Sequence, residues 1–85
     1  MSESTHQMRQ VLWYFQPGSD LAVPPGENSF KEYLIKAVCK ADRDNQTRLY
    51  MAFPAMVWAV TVIKDDLDGY DKVRRAIREE EGAPL

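Results

Sequence analysis

The chain has 85 residues, enough for one hydrophobic core and no more, since single cores run from about 50 to 200 residues. Hydrophobic residues make up 45% and charged residues 28%, which excludes a chain disordered throughout and a fibrous repeat. Eleven Lys and Arg against thirteen Asp and Glu leave a net charge of -2, so no global field draws the chain to nucleic acid or to an anionic membrane.

Residues 1–28 read as an irregular N-terminal arm, because Pro17, Gly18, Pro24, Pro25 and Gly26 break any regular element after Phe15. Met1 to Gln10 is polar and holds no apolar run of the kind a signal peptide needs. Val11, Leu12, Trp13, Tyr14 and Phe15 form an apolar knot too short for an independent helix. Aromatic residues of this kind are enriched at interface hot spots, so Trp13, Tyr14 and Phe15 are candidate protein-binding residues; the alternative is that they fold back over the core.

Residues 29–85 read as a small helical domain. Ser29-Phe30-Lys31-Glu32 has the S-x-x-E form of a capping box, so a helix starts here. Phe30, Tyr33, Leu34, Ala37, Val38 and Ala41 then recur at the spacing of one helix face. The same wheel carries Asn45, Leu49 and Ala52, so a single helix is expected from Phe30 to about Met51, roughly six turns. Asn45 and Arg48 fall on its apolar side, where they predict a buried structural polar network with Asp44 or an acid of the 65–71 turn as partner. Lys36, Lys40 and Arg43 stack at i, i+4 and i+7 as a basic stripe, the candidate contact for an anion or nucleic acid. Residues 29–53 carry five basic and three acidic groups, a local charge of about +2 between two flanks of -2.

Pro54 ends that helix, because proline restricts Phe53 away from helical angles and suits the first position of the next helix. Ala55 to Ile63 is apolar on every side and rich in β-branched residues. A helix from Pro54 to about Lys64 is favoured, with a buried strand over 55–63, and hence a small α/β fold, as the alternative. A helix apolar all round needs cover on all sides, which three helices of this size are short of supplying. Met56 and Trp58 therefore join the protein-binding candidates, and self-association as a homodimer is one way to cover them. The apolar stretch falls well short of the ~20 residues that span a bilayer.

Asp65 to Gly69 forms a turn in which Asp68 is the expected cap of a last helix. Tyr70, Val73, Ala76 and Ile77 give that helix a narrow apolar stripe, with Lys72, Arg74, Arg75 and Arg78 facing solvent. Glu79, Glu80 and Glu81 stand at the unfavourable end of its dipole.

Catalytic and metal signatures are missing from this pattern. His6 is the only histidine and has no second ligand at metal spacing. The single Cys39 has no disulfide partner within the chain, as expected for a cytoplasmic protein, and reads as a structural thiol despite Lys36 and Lys40 nearby. Placing Gly69 at the glycine position of a calcium loop puts Lys64 at the first ligand and Arg75 at the last, so that register fails. The four glycines are too scattered for a phosphate loop. No cofactor, metal, membrane or small-molecule substrate is implied.

Ala41 to Val57 resembles small uncharacterised proteins of actinobacteria and their bacteriophages, whose shared form is A-D-x-x-N-x-x-R-L-x-x-x-F-P-x-x-V. The resemblance implies an all-α fold and a phage or actinobacterial context, hence the host cell cytoplasm if the chain is phage-encoded, and suggests that Asn45, Arg48, Phe53 and Pro54 frame the corner between the first two helices. The expectation is a mainly helical domain of about three helices, a non-enzymatic phage-type accessory or host-modulating protein that binds a protein or itself. A nucleic-acid-binding regulator and a virion structural component are the alternatives.

Overall fold

The computed structural model describes residues 2–82. Among these residues five helices follow one another: α1 (Glu3–Phe15), α2 (Phe30–Lys40), α3 (Arg43–Ala52), α4 (Pro54–Asp65) and α5 (Gly69–Glu80). The all-α expectation holds and the count of three does not. Among the described residues there is no strand, so 55–63 is helix rather than strand.

Two boundaries account for the extra helices. Residues 3–15 are not an irregular arm: Ser2 caps α1, its Oγ accepting from the Thr5 amide at 3.0 Å. Thr5, Met8, Val11 and Leu12 are buried along one face. That face begins on a threonine, which hides its periodicity in an apolar count. The Thr5 hydroxyl is accommodated because it donates to Glu80 Oε2 at 3.1 Å. The irregular part is the connection after Pro17, and it is tied down: Arg9 donates to the Leu21 carbonyl at 3.1 Å, and Arg74 donates to Gln16 Oε1 and to Ser19 Oγ. Arg74 is thus a strut of the fold rather than a solvent-facing charge.

The other boundary lies inside the single helix expected from Phe30 to Met51. The chain leaves helical angles at Ala41 (ψ 141°) and restarts with Asp42 as N-cap, its Oδ1 accepting from the Asn45 amide at 2.8 Å. A short carboxylate competes with the helix for its own backbone donors, so a uniform wheel drawn through Asp42 passes over a break.

Ser29 caps α2 as expected, accepting from the Glu32 amide at 3.1 Å. Glu32 reaches back one residue further than the box requires, to the Asn28 amide at 3.0 Å. The buried face of α2 is Leu34, Ile35 and Val38, while Phe30, Tyr33 and Ala37 are exposed. Both α1 and α4 approach α2, and they meet it on the Ile35 side.

Phe53 and Pro54 make the expected corner, with Pro54 in the first turn of α4. Every other helix touches α4. Met56, Ala59 and Val60 have no solvent exposure, and they meet Val11, Leu12, Ile35, Val38, Val73 and Ile77 in one core. The apolar helix expected to lack cover receives it from α1, the segment expected to be an arm. Among the described residues no helix is long and apolar enough to cross a membrane.

Close approach decides the start of α5. A Cβ on Gly69 would stand 2.3 Å from the Val62 carbonyl oxygen and 2.7 Å from Ile63 Cα, so only glycine lets α5 begin against α4. Asp68 occupies the N-cap position without a side-chain capping bond; its carboxylate turns to Lys72, 3.5 Å away, which is also held by Asp66 at 2.8 Å. At the other end the acidic run finds partners on α1: Glu80 accepts from Ser2 and Thr5, and Glu81 pairs with Arg9 at 2.6 Å. The two helices are antiparallel there, so the acids of the α5 C-terminus lie at the positive end of α1.

Candidate protein-binding face

The aromatic and apolar residues singled out in the sequence divide into three groups. Tyr14 and Phe15 pack edge to face, ring centroids 5.3 Å apart, against the core, and Trp13 beside them is half-buried. Tyr14 and Phe15 fold back, the alternative reading of that knot. Met56 is wholly enclosed and leaves the candidate surface. Trp58 faces outward from the middle of α4, 37% exposed.

Around Trp58 four helices form an open groove of about 300 Å³. Its apolar wall comes from Tyr50 of α3, Pro54 and Ala55 of α4, and Met8 of α1, while Glu80 closes the polar end. On the other side of the indole lies a second groove lined by Lys72, Arg75 and Glu79 of α5, with Ala76 common to both. Trp58 is therefore a ridge between an apolar trough and a charged one. Away from the groove lining, the Phe30 ring lies 6.2 Å from that of Phe53. Tyr50 (52%), Met51 (82%) and Phe30 (66%) remain open to solvent.

Tyr50 is not singled out by the sequence pattern, where it occupies an ordinary position of one long helix. The signal available is its separation from Trp58 across Pro54, since a corner between two aromatic-bearing helices brings their outer faces together.

The basic stripe does not survive as one line. Lys36 and Lys40 belong to α2 and Arg43 to α3, beyond the break at Asp42. All three are exposed, and Lys36 lies over the Tyr33 ring, 5.6 Å from its centroid. Lys40 instead shares a shallow groove with Asn45 and Arg48, floored by Ala37, Ala41 and Leu49. Asn45 and Arg48 are themselves exposed, contrary to the buried network expected of them. Arg48 Nη1 donates to Asn45 Oδ1 at 3.0 Å, and neither Asp44 nor the 65–71 turn is the partner. Both sit on the outer side of α3 because the break at Asp42 starts a new wheel; the corner is framed by Phe53 and Pro54 alone.

Burial pushes the Cys39 thiol above its ordinary value, with Lys64 acting weakly the other way. Lys64 spends its ammonium on the Cys39 carbonyl at 2.9 Å, so the thiol has no activating partner. His6 Nε2 stands 3.2 Å from the Gln10 amide nitrogen. Among the described residues no three of His, Cys, Asp and Glu gather as a metal site would require. Comparison with protein-family models, with curated proteins and with solved structures finds no match to this chain.

Proposed function

We propose that this protein acts by protein–protein binding, with a partner or with itself, without catalysis, as a small accessory or host-modulating protein of the phage type that its resemblance implies. The observation that carries the reading is the groove on which Tyr50 and Trp58 converge from α3 and α4. Large aromatic side chains left half-open beside an apolar trough are the anchors that dominate interface energetics, because closing them removes much apolar area at small entropic cost. The docking residues are Tyr50 and Trp58, with Pro54 and Ala55 between them. Tyr14 and Phe15 support the fold from beneath, and Trp13 beside them is half-buried.

A photoreactive phenylalanine analogue at position 58, compared with the same group at the exposed loop residue Asp20, tests this in living bacterial cells. Position 58 is expected to give protein adducts that diminish with Tyr50→Ala. Equal adducts from both positions would count against the face.

A nucleic-acid reading draws on the exposed Lys36, Lys40 and Arg43 and on Arg48, which shares a groove with Lys40. It is the weaker reading, since Asp42 and Asp44 interrupt the cations and strong phosphate binding needs several uninterrupted contacts. Under the protein-binding reading, a gel shift at low salt gives no complex. A complex lost on neutralising Lys36, Lys40 and Arg43 together would favour the nucleic-acid reading.

A further inference from the structure

The exposed edge beside Trp58 carries both signs of charge in a particular order. Arg75 and Glu79 are four residues apart on α5, both exposed, and both line the charged trough next to the indole. Lys72, the third charge there, is already engaged by Asp66 and Asp68. Neither Arg75 nor Glu79 has an oppositely charged partner within 4.0 Å among the described residues. The order of the two, base before acid, is the poorer one for an i, i+4 pair on a single helix.

Such an edge is mismatched to a partner of uniform sign. An acidic surface placed on it leaves Glu79 facing its like, and a basic one leaves Arg75 so placed. A copy of the same edge turned about a two-fold axis satisfies both at once. When α5 packs antiparallel on its own copy with the axis at the level of Ile77, Arg75 of each copy faces Glu79 of the other. Ala76, the small residue shared by the two troughs, lets the helices approach and leaves room for the indole beside them.

We infer that the chain pairs with a second copy of itself through this edge, Trp58 of each copy closing over Ala76 of the other and Arg75 facing Glu79 across the axis. The inference rests on the protein-binding reading of the Trp58 face and names its occupant. The interface is isologous, so it closes as a dimer and does not propagate.

Charge exchange tests it in a way that folding alone does not reproduce. Sedimentation measures the dissociation constant of the full chain, with circular dichroism to verify helicity. Arg75→Glu and Glu79→Arg each set like charges across the axis twice, and each is expected to weaken the dimer at least about tenfold. Mixing the two single variants places an all-acidic edge against an all-basic one, so opposite charges meet at both crossings and a heterodimer of about wild-type strength is expected. The double variant, with both charges exchanged on one chain, is expected to recover likewise. Trp58→Ala abolishes pairing. Wild-type chain that stays monomeric to about 1 mM overturns the inference, as does a mixture no stronger than its components. If the chain is monomeric and position 58 still crosslinks to other proteins, only the second copy is refuted; if it also fails to crosslink, the binding face falls with it.

Discussion

α3 and α4 are consecutive, separated only by Phe53, and of similar length, 10 and 12 residues. Their situations are opposite. α4 touches every other helix and buries Met56, Val57, Ala59 and Val60. α3 buries no residue and leans chiefly on α4, with Leu49 half-buried against the core. A helix of this length is marginal in water by itself, so α3 owes its order to the Asp42 cap, to Leu49 and to its covalent tie at Pro54. The contrast separates two uses of one secondary structure: α4 holds the molecule together, and α3 holds Tyr50 and Met51 out to solvent at little cost to the core.

The contrast can be broken first on α4. Met56→Ala removes a fully buried side chain from the middle of the core and is expected to cost about 2–5 kcal/mol in urea unfolding. Met51→Ala, on the open side of α3, serves as its counterpart and should stay within about 0.5 kcal/mol. Equal losses from the two would mean that α3 is part of the core after all. Next comes the seat of α5. Gly69→Ala forces a methyl into the Val62 carbonyl and the Ile63 backbone, and is expected to cost about 1–3 kcal/mol in the same measurement.

Asp42→Ala sharpens the comparison from the α3 side. It removes a cap worth about 1 kcal/mol to the helix that follows. Because α3 is able to open without disturbing the core, its amides from Gln46 to Ala52 are expected to lose hydrogen-exchange protection while those of α4 keep theirs. Matching loss in both helices would show that they unfold as one unit.

The smallest effect concerns Cys39 of α2, whose carbonyl accepts from Lys64. Burial raises its thiol value in the fold, so the stability it contributes is complete below the unfolded thiol value and is lost as pH rises through the folded one. Alkylation of the native chain at about pH 8 is expected to run at least about twofold slower than that of the urea-unfolded chain. A faster native rate would mean that Lys64 outweighs burial.

The parts of this architecture readable in advance are those set by neighbours in sequence. The Ser29 cap, Pro54 after Phe53, and the Val73–Ile77 stripe each describe bonds or packing within a few residues, and each appears where expected. Asp42 belongs to the same class of signal, but the apolar wheel runs smoothly through it and masks the break. Half of the candidate face is legible as well: Trp58 stands out as a large aromatic in an apolar helix. Tyr50, Arg75 and Glu79 do not, since their significance lies in being beside Trp58.

By itself the sequence determined that the chain is helical, where α2 and α4 begin, and that 54–65 is its most apolar segment, because caps, prolines and hydropathy act locally. Only the tertiary structure decided that Glu3–Phe15 is a core helix, that α2 buries Ile35 rather than Phe30, and that Glu80 and Glu81 are met by Ser2, Thr5 and Arg9. Those outcomes depend on which element arrives on which side. A polar residue such as Thr5 is buried when its partner comes from the far end of the chain, and no periodicity within its own helix records that partner.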